Sequence, residues 1–352
     1  MGQENKRKLI IATLGVVTII LLGSLVYVVT DKGSTAEGFQ LTDAMDNPLN
    51  LDIVPNRVVS TAPSITEQIY SLGLQSKLVA VSDNCDYPGE VLVKKGSGEY
   101  ANVGSYYSPN VELIINCTPD VVFISNTAGG VTSYEALREA GINVVMLYQE
   151  ETMEDIYANL YIITVVMHLT AVQEEMENVF DLVRQISADG EPKKLMMNLG
   201  YEWGMDQVYL FGTDTFGDDI IKMVNCTNAA GASGFILTNY ELLAVEEGGP
   251  DIIFVMVQGG WGGQEVYFDE TNWNQNMTAL QDHPIWGSTT AVQNRDVYFF
   301  YGRAASIAQR ASPGLADLAK LVCMFTHPEQ FAGFEPPKFV GDDYETLLEG
   351  YW

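Results

Sequence analysis

The chain has 352 residues, 46 acidic against 18 basic, with 47% hydrophobic residues and four cysteines, which excludes disordered, collagen-like and disulfide-scaffold classes. A formal net charge of -28 also excludes nucleic acid as a partner, because phosphate binding is driven by Lys and Arg displacing counterions. At roughly 150 residues per domain, the length accommodates two folding units.

Residues 1-8 form a basic stub in which Lys6, Arg7 and Lys8 precede Leu9 to Val29, an uncharged run of 21 residues. At about 1.5 Å per residue this run crosses the roughly 30 Å hydrocarbon core, with the basic flank on the cytoplasmic side. It exceeds the about 7 to 15 apolar residues of a secretory signal, so a single-pass membrane anchor over 9-29 is the preferred reading. Ser34-Thr35-Ala36 keeps a cleaved signal as the alternative. No cysteine occurs before Cys85, so the attachment point of a lipoprotein is missing. After a linker over 30-38, the remainder is extracytoplasmic and carries 15 basic against 45 acidic residues. That compartment permits disulfides, and Cys85, Cys117, Cys226 and Cys323 allow three pairings among which spacing does not choose. Sequons at Asn116, Asn225 and Asn276 fit an exported chain.

Residues 39-169 read as an N-terminal α/β lobe. The runs "RVVST", "KLVAVS", "VVFIS" and "NVVMLY" are strand-like and alternate with helical patterns such as "SITEQIYSLG" and "SYEALREAG". Thr170 to Ala188 has apolar residues at three- and four-residue steps, which predicts one helix, about 28 Å long, connecting two lobes over 170-190. Residues 191-332 repeat the α/β pattern with "QVYLFG", "DIIFVM" and "DVYFFY", and 333-352 form a tail. The chain also writes one sentence twice: "NVELIINCTPDVVFISNTAGG" from Asn110 and "NYELLAVEEGGPDIIFVMVQGGWGG" from Asn239. Each copy has a helix carrying a glutamate (Glu112, Glu241), a Pro-Asp turn, a continuous apolar strand and a glycine-containing loop. Apolar runs without alternation predict parallel strands buried on both faces.

Ligands of open α/β sheets sit beyond the carboxyl ends of the strands, so facing lobes would form a cleft lined by strand-end loops. This nominates Ser125, Asn126, Thr127, Gly129 and Gly130 in the first copy. In the second it nominates Gln258, Gly259, Gly260, Trp261, Gly262 and Gly263. Neither phosphate-cradling nor nucleophile-elbow motifs occur, and His168, His283 and His327 lack ligand or triad spacing. The reading is a binding protein, not an enzyme, without catalytic residues, metal or cofactor.

Three stretches carry a resemblance: "PNRVVSTAPSITEQIYSLGLQSKLVAVSDNCDYP", "VGSYYSPNVELII...PDVVFI" and "HPIWGSTTAVQNRDVYFFYG...RASPGLADLAKLVCMFTHPEQF". From about Phe39 to Phe331 the chain resembles substrate-binding proteins of ABC importers for vitamin B12 and ferric siderophores. The resemblance implies two α/β lobes joined by a long helix, acting as a monomer with the importer's membrane subunits as partners. It places Glu112 and Glu241 as docking glutamates, and Asn84, Tyr106, Phe235 and Arg310 near the ligand. It pairs Cys226 with Cys323, leaving Cys85 and Cys117 as the second pair. Cations near the expected cleft reduce to Arg303 and Arg310. An anionic ferric siderophore is therefore disfavoured against a cobalamin-like corrinoid held by aromatic faces and amides. A ferric siderophore or haem is the alternative, and a membrane-anchored surface sensor or hydrolase is the alternative of another class.

Overall fold

The computed structural model describes residues 41-50, 52, 54-169, 173-200, 207-239, 249-257, 270-310 and 312-352. The anchor expected over 9-29, the linker, Glu241 and the loop from Gln258 to Gly263 with Trp261 lie outside the described residues. No helix among the described residues is long and apolar enough to cross a membrane. The chain divides into two compact units. One runs to Glu150 and resumes over Glu154–Gln173; the other comprises Glu151–Met153 and Glu174–Trp352.

The first unit runs β1 (Val58–Ser60), α1 (Pro63–Ser71), β2 (Leu78–Val81), α2 (Glu90–Ser97), β3 (Ala101–Asn102), the hairpin β4 (Gly104–Ser105) and β5 (Ser108–Pro109), α3 (Val111–Asn116), β6 (Val121–Ser125), α4 (Ala128–Glu139), β7 (Val144–Leu147) and α5 (Met153–Val166). Its sheet has the order β3-β2-β1-β6-β7, every pairing parallel. Every residue of β6 and β7 is buried, as their unbroken apolar runs require of strands covered on both faces.

The second unit continues with α6 (Gln173–Ser187), β8 (Lys194–Asn198), β9 (Gln207–Phe211), α7 (Phe216–Met223), β10 (Thr227–Asn228), β11 (Phe235–Asn239), β12 (Ile252–Met256), α8 (Glu270–Asp282), α9 (Thr290–Asn294), β13 (Val297–Phe300), α10 (Gly302–Gln309), α11 (Leu315–Thr326), β14 (Phe339–Val340) and α12 (Tyr344–Glu349). The sheet order is β11-β9-β8-β12-β13-β14, with β10 also on β8. This sheet is mixed, not purely parallel: β9 runs antiparallel to both β8 and β11. The connection from β8 to β9 is too short for the crossover that a parallel neighbour needs, which takes a dozen or more residues. The C-terminal tail supplies β14 as a parallel edge strand on β13.

The duplicated Pro-Asp turn has a mechanical reason. Asp120 Oδ2 accepts from the backbone N–H groups of Asn56 (2.8 Å) and Arg57 (2.9 Å), at the entry to β1. Asp251 Oδ2 accepts from the N–H of Lys194 (2.8 Å), at the entry to β8. In each unit one carboxylate thus ties the amino ends of two adjacent parallel strands, occupying donors that the ladder leaves open there.

The helix expected over Thr170 to Ala188 is described from Gln173 to Ser187, before Gly190 and Pro192. Its Phe180 and Val183 are buried, and Ser187 Oγ donates to the Met223 carbonyl at the end of α7 (3.1 Å). It therefore packs within the second unit beside α7.

The disulfide expectations are corrected: all four cysteines are free. Cys85 Sγ sits 3.1 Å from Thr66 Oγ1 and 3.2 Å from Ser82 Oγ in the first core. Cys117 caps α3 with its Sγ 3.2 Å from the Leu113 carbonyl. Cys226 and Cys323 are both buried in the second unit. Burial first, then the neighbouring Cys226, pushes the Cys323 thiol up to about 12.

Candidate functional site

Because the first sheet is parallel, all its strands deliver their following loops to one edge. Asn84 follows β2, the β4-β5 hairpin follows β3, Asn126 follows β6 and Glu150 follows β7. The hairpin carries Tyr106 and Tyr107, whose ring centroids are 4.4 Å apart with planes inclined at 54°. Tyr106 is half-buried and Tyr107 is 58% exposed. Asn84 Oδ1 accepts from the Tyr106 N–H (3.1 Å), so this side chain positions the hairpin tip.

The glycines after β6 serve the chain. The segment Ala128–Glu139 is helical, capped by Thr127 Oγ1 from the Gly130 N–H, so Gly129 and Gly130 form the first turn of α4, where a loop was expected. A Cβ on Gly129 would lie 1.9 Å from the Tyr107 carbonyl oxygen, and one on Gly130 would lie 2.1 Å from that of Ser125. Only glycine lets α4 press against the aromatic hairpin and the end of β6.

Glu150 completes this edge, and sequence reasoning missed it, one carboxylate among 46 acidic residues. Its Oε1 accepts from Ser64 Oγ (3.1 Å), at the first turn of α1, and from Asn159 Nδ2 (3.2 Å) on α5. Asn159 is fully buried and also grips the backbone of Tyr148 in both directions, at 2.7 and 2.9 Å. Glu150 is partly exposed as a residue, and protein crowds closely around its carboxyl. Desolvation pushes the carboxyl up to about 7; its own backbone N–H, Ser64 and Asn159 oppose this, and Asp155 adds to it. The Tyr106 phenol is raised by burial, then by Tyr107 and Glu150.

In the second unit, the register that sets Asn198 opposite Leu210 carries the start of β9 past the end of β8. The projecting ribbon pairs Tyr209 with Leu237 and Phe211 with Phe235. Tyr209 is 42%, Phe235 38% and Leu237 64% exposed. Tyr209 stacks on Phe235 with centroids 6.2 Å apart and planes 23° apart, and Phe235 also meets Phe211 and Phe216 at 5.5 and 6.0 Å. Gly217 is required beneath this cluster, because its Cβ would lie 2.3 Å from the Phe211 ring.

A family model described as "Periplasmic binding protein" matches residues 58–303. The chain belongs to the periplasmic binding protein family. It is 23% identical over 302 residues, 83% of this chain and 86% of the relative, to an uncharacterized ABC transporter substrate-binding lipoprotein of Bacillus subtilis. A vitamin B12-binding protein of Vibrio parahaemolyticus is 36% identical over 104 residues, 30% of this chain and only 35% of that relative. The structure of a periplasmic heme-binding protein of Vibrio cholerae superposes with a TM-score of 0.61 at 21% identity, covering 77% of this chain and 99% of that one. These relatives are solute-binding proteins and not enzymes, in keeping with the absence of catalytic templates from the sequence.

Within this periplasmic binding protein the nominated residues divide by environment. Asn84, Tyr106, Ser125 and Asn126 share the carboxyl edge of the first sheet. Ser125 is buried at the end of β6, and Asn126 donates its N–H to the Leu147 carbonyl (3.1 Å). Phe235 lies on the projecting ribbon of the second unit. Arg303 is held by the C-terminal tail: its N–H donates to Asp342 Oδ1 (2.8 Å), its guanidinium donates to Glu345 (2.7 Å), and its Cζ sits 5.6 Å from the Tyr344 ring centre. Arg310 is half-buried where α10 ends. Glu112 is exposed in the first turn of α3, whose N-cap is Asn110. Trp261 and Glu241 lie outside the described residues. Among the described residues no cluster of His, Cys, Asp or Glu could hold a metal ion.

Proposed function

We propose that the chain is an extracytoplasmic solute-binding protein that captures a cobalamin-like corrinoid and delivers it to the membrane subunits of an ABC importer. The family match over 58–303 supports the solute-binding class. The observation that carries the ligand choice is the pairing of exposed aromatic surface with committed cations. Tyr106 and Tyr107 on one unit, and Tyr209 and Phe235 on the other, offer flat apolar faces. The ammonium of Lys95, beside the Asn84 loop, is bonded to the carbonyls of Ser82, Asp83 and Cys85 at 3.3, 2.7 and 2.9 Å. Arg303 is bonded to the tail. An anionic ferric siderophore or the propionates of haem would need such charges released, because a desolvated anion without partners is costly. A neutral corrinoid needs faces and amide partners, and each aromatic contact contributes about 0.5 to 1.5 kcal/mol beyond area burial. The vitamin B12-binding relative of Vibrio parahaemolyticus supports the same choice.

In this reading Glu112 and Glu241 engage basic groups of the importer, and residues 9-29 hold the monomeric binding region at the outer face of the membrane. Exposed ion pairs contribute only about 0.2 to 1 kcal/mol each, so the glutamates set orientation and encounter rate. Uptake of radiolabelled cyanocobalamin by cells carrying the chain and its importer should fall in the Glu112→Ala/Glu241→Ala double variant while binding to the isolated protein is kept. Unchanged uptake would remove the docking role.

A further inference from the structure

The carboxyl at the edge of the first sheet has no role in the reading above, yet the fold builds a place for it. Glu150 is gripped through one oxygen by Ser64 and Asn159, and the turn that carries it is locked by the two bonds from Asn159 to Tyr148. Neither lysine nor arginine among the described residues pairs with it. It sits close enough to the Tyr106 phenol for its charge to disfavour the tyrosinate. An isolated carboxylate in such surroundings is desolvated without a compensating cation, which is unfavourable unless a donor arrives. The cheapest arrangement for stability would be an uncharged or apolar side chain. The site instead keeps a carboxyl, on a residue that is only partly buried.

We propose that Glu150 is an acceptor subsite on the face of the first unit, next to Tyr106, that takes an N–H donor of the bound solute, an amide or an amine, and in its ionised form admits no carboxylate. The inference rests on the solute-binding reading and narrows its ligand class. The groups that face this carboxyl are Ser64 from α1, Asn159 and Asp155 from α5, and Tyr106 from the β4-β5 hairpin. Asp155 and Tyr106 are the titratable members, and neither can supply positive charge. Bringing an N–H donor to the carboxyl favours its ionised form, so capture of the solute and loss of a proton from Glu150 are linked. With the carboxyl titrating at about 7, the competent ionised fraction rises about tenfold between pH 6 and pH 8, and the apparent Kd falls by the same factor if only that form binds.

The test is equilibrium dialysis of the full-length chain against cyanocobalamin, which carries amide N–H donors, and against hemin, which carries carboxylates, at pH 6, 7 and 8. The wild type should bind cyanocobalamin about tenfold more tightly at pH 8 than at pH 6. The E150Q variant, which keeps an acceptor oxygen but cannot ionise, should show less than twofold change. Ser64→Ala, which removes one bond to the ionised form, should move the midpoint of the wild-type profile to higher pH. Wild-type binding that is independent of pH, tightens at low pH, or keeps its pH dependence in E150Q overturns the subsite and leaves the solute-binding reading standing. Failure of the wild type to bind cyanocobalamin, with saturable binding of hemin, overturns the subsite and the corrinoid choice together.

Discussion

The titration of Glu150 has a consequence for stability that needs no ligand. A carboxyl whose value rises from 4.5 to about 7 on folding holds more protons in the folded state, so stability is greatest below 4.5 and declines as pH rises toward 7. At 1.36 kcal/mol per unit, the whole penalty is at most about 3 kcal/mol, most of it falling between pH 5 and pH 8. The partial exposure of the residue lowers this ceiling. E150Q keeps the shape but cannot pay a desolvation penalty for charge. The difference in stability between E150Q and wild type should therefore widen in favour of E150Q from pH 5 to pH 8, while contributions from the other carboxyl groups cancel. The measurement must read the first unit, and all five tryptophans lie at Trp203 or later, so hydrogen exchange of peptides spanning β6 and β7 is the suitable assay. Parallel pH profiles for the two proteins would refute the assignment of a near-neutral carboxyl.

Gly129→Ala should drive a methyl into the Tyr107 carbonyl, 1.9 Å from its ideal position. Loss of about 1 to 3 kcal/mol from the first unit should accompany weaker cyanocobalamin binding, with tryptophan-detected unfolding of the second unit unchanged. Asp251→Ala removes the acceptor for the Lys194 N–H and should cost about 1.5 to 3 kcal/mol, seen as a lower Tm from the buried Trp273 and Trp286. Arg303→Ala should release the tail at a cost of about 1 kcal/mol or less for its exposed ion pair. Limited proteolysis should then cut near Glu345, with cyanocobalamin affinity changing less than twofold.

Much of the fold was legible because continuous apolar runs and Pro-Asp turns are local signals. "VVFIS" and "DIIFVM" each yielded a buried parallel strand, β6 and β12. The antiparallel β9-β11 ribbon was less legible, since "FILTN" carries no distinct period and the antiparallel partners of "QVYLF" are set by tertiary pairing. At the site, Tyr106 was accessible through its motif neighbourhood, whereas Glu150 acquires its character only when Ser64 and Asn159, 86 and 9 positions away, converge on it. Gly129 was read as room for a ligand and proved to be room for a carbonyl of the chain. The sequence places Arg303 among the cations near the expected cleft, and the tail that neutralises it starts some thirty residues later, beyond any local pattern.

Equilibrium dialysis of the full-length protein against cyanocobalamin, hemin and a ferric siderophore bears most directly on what this molecule does. The account predicts saturable one-to-one binding of cyanocobalamin, recovered chemically unchanged, in preference to the other two. Saturable binding of the ferric siderophore alone, or conversion of a bound compound to product, would contradict it.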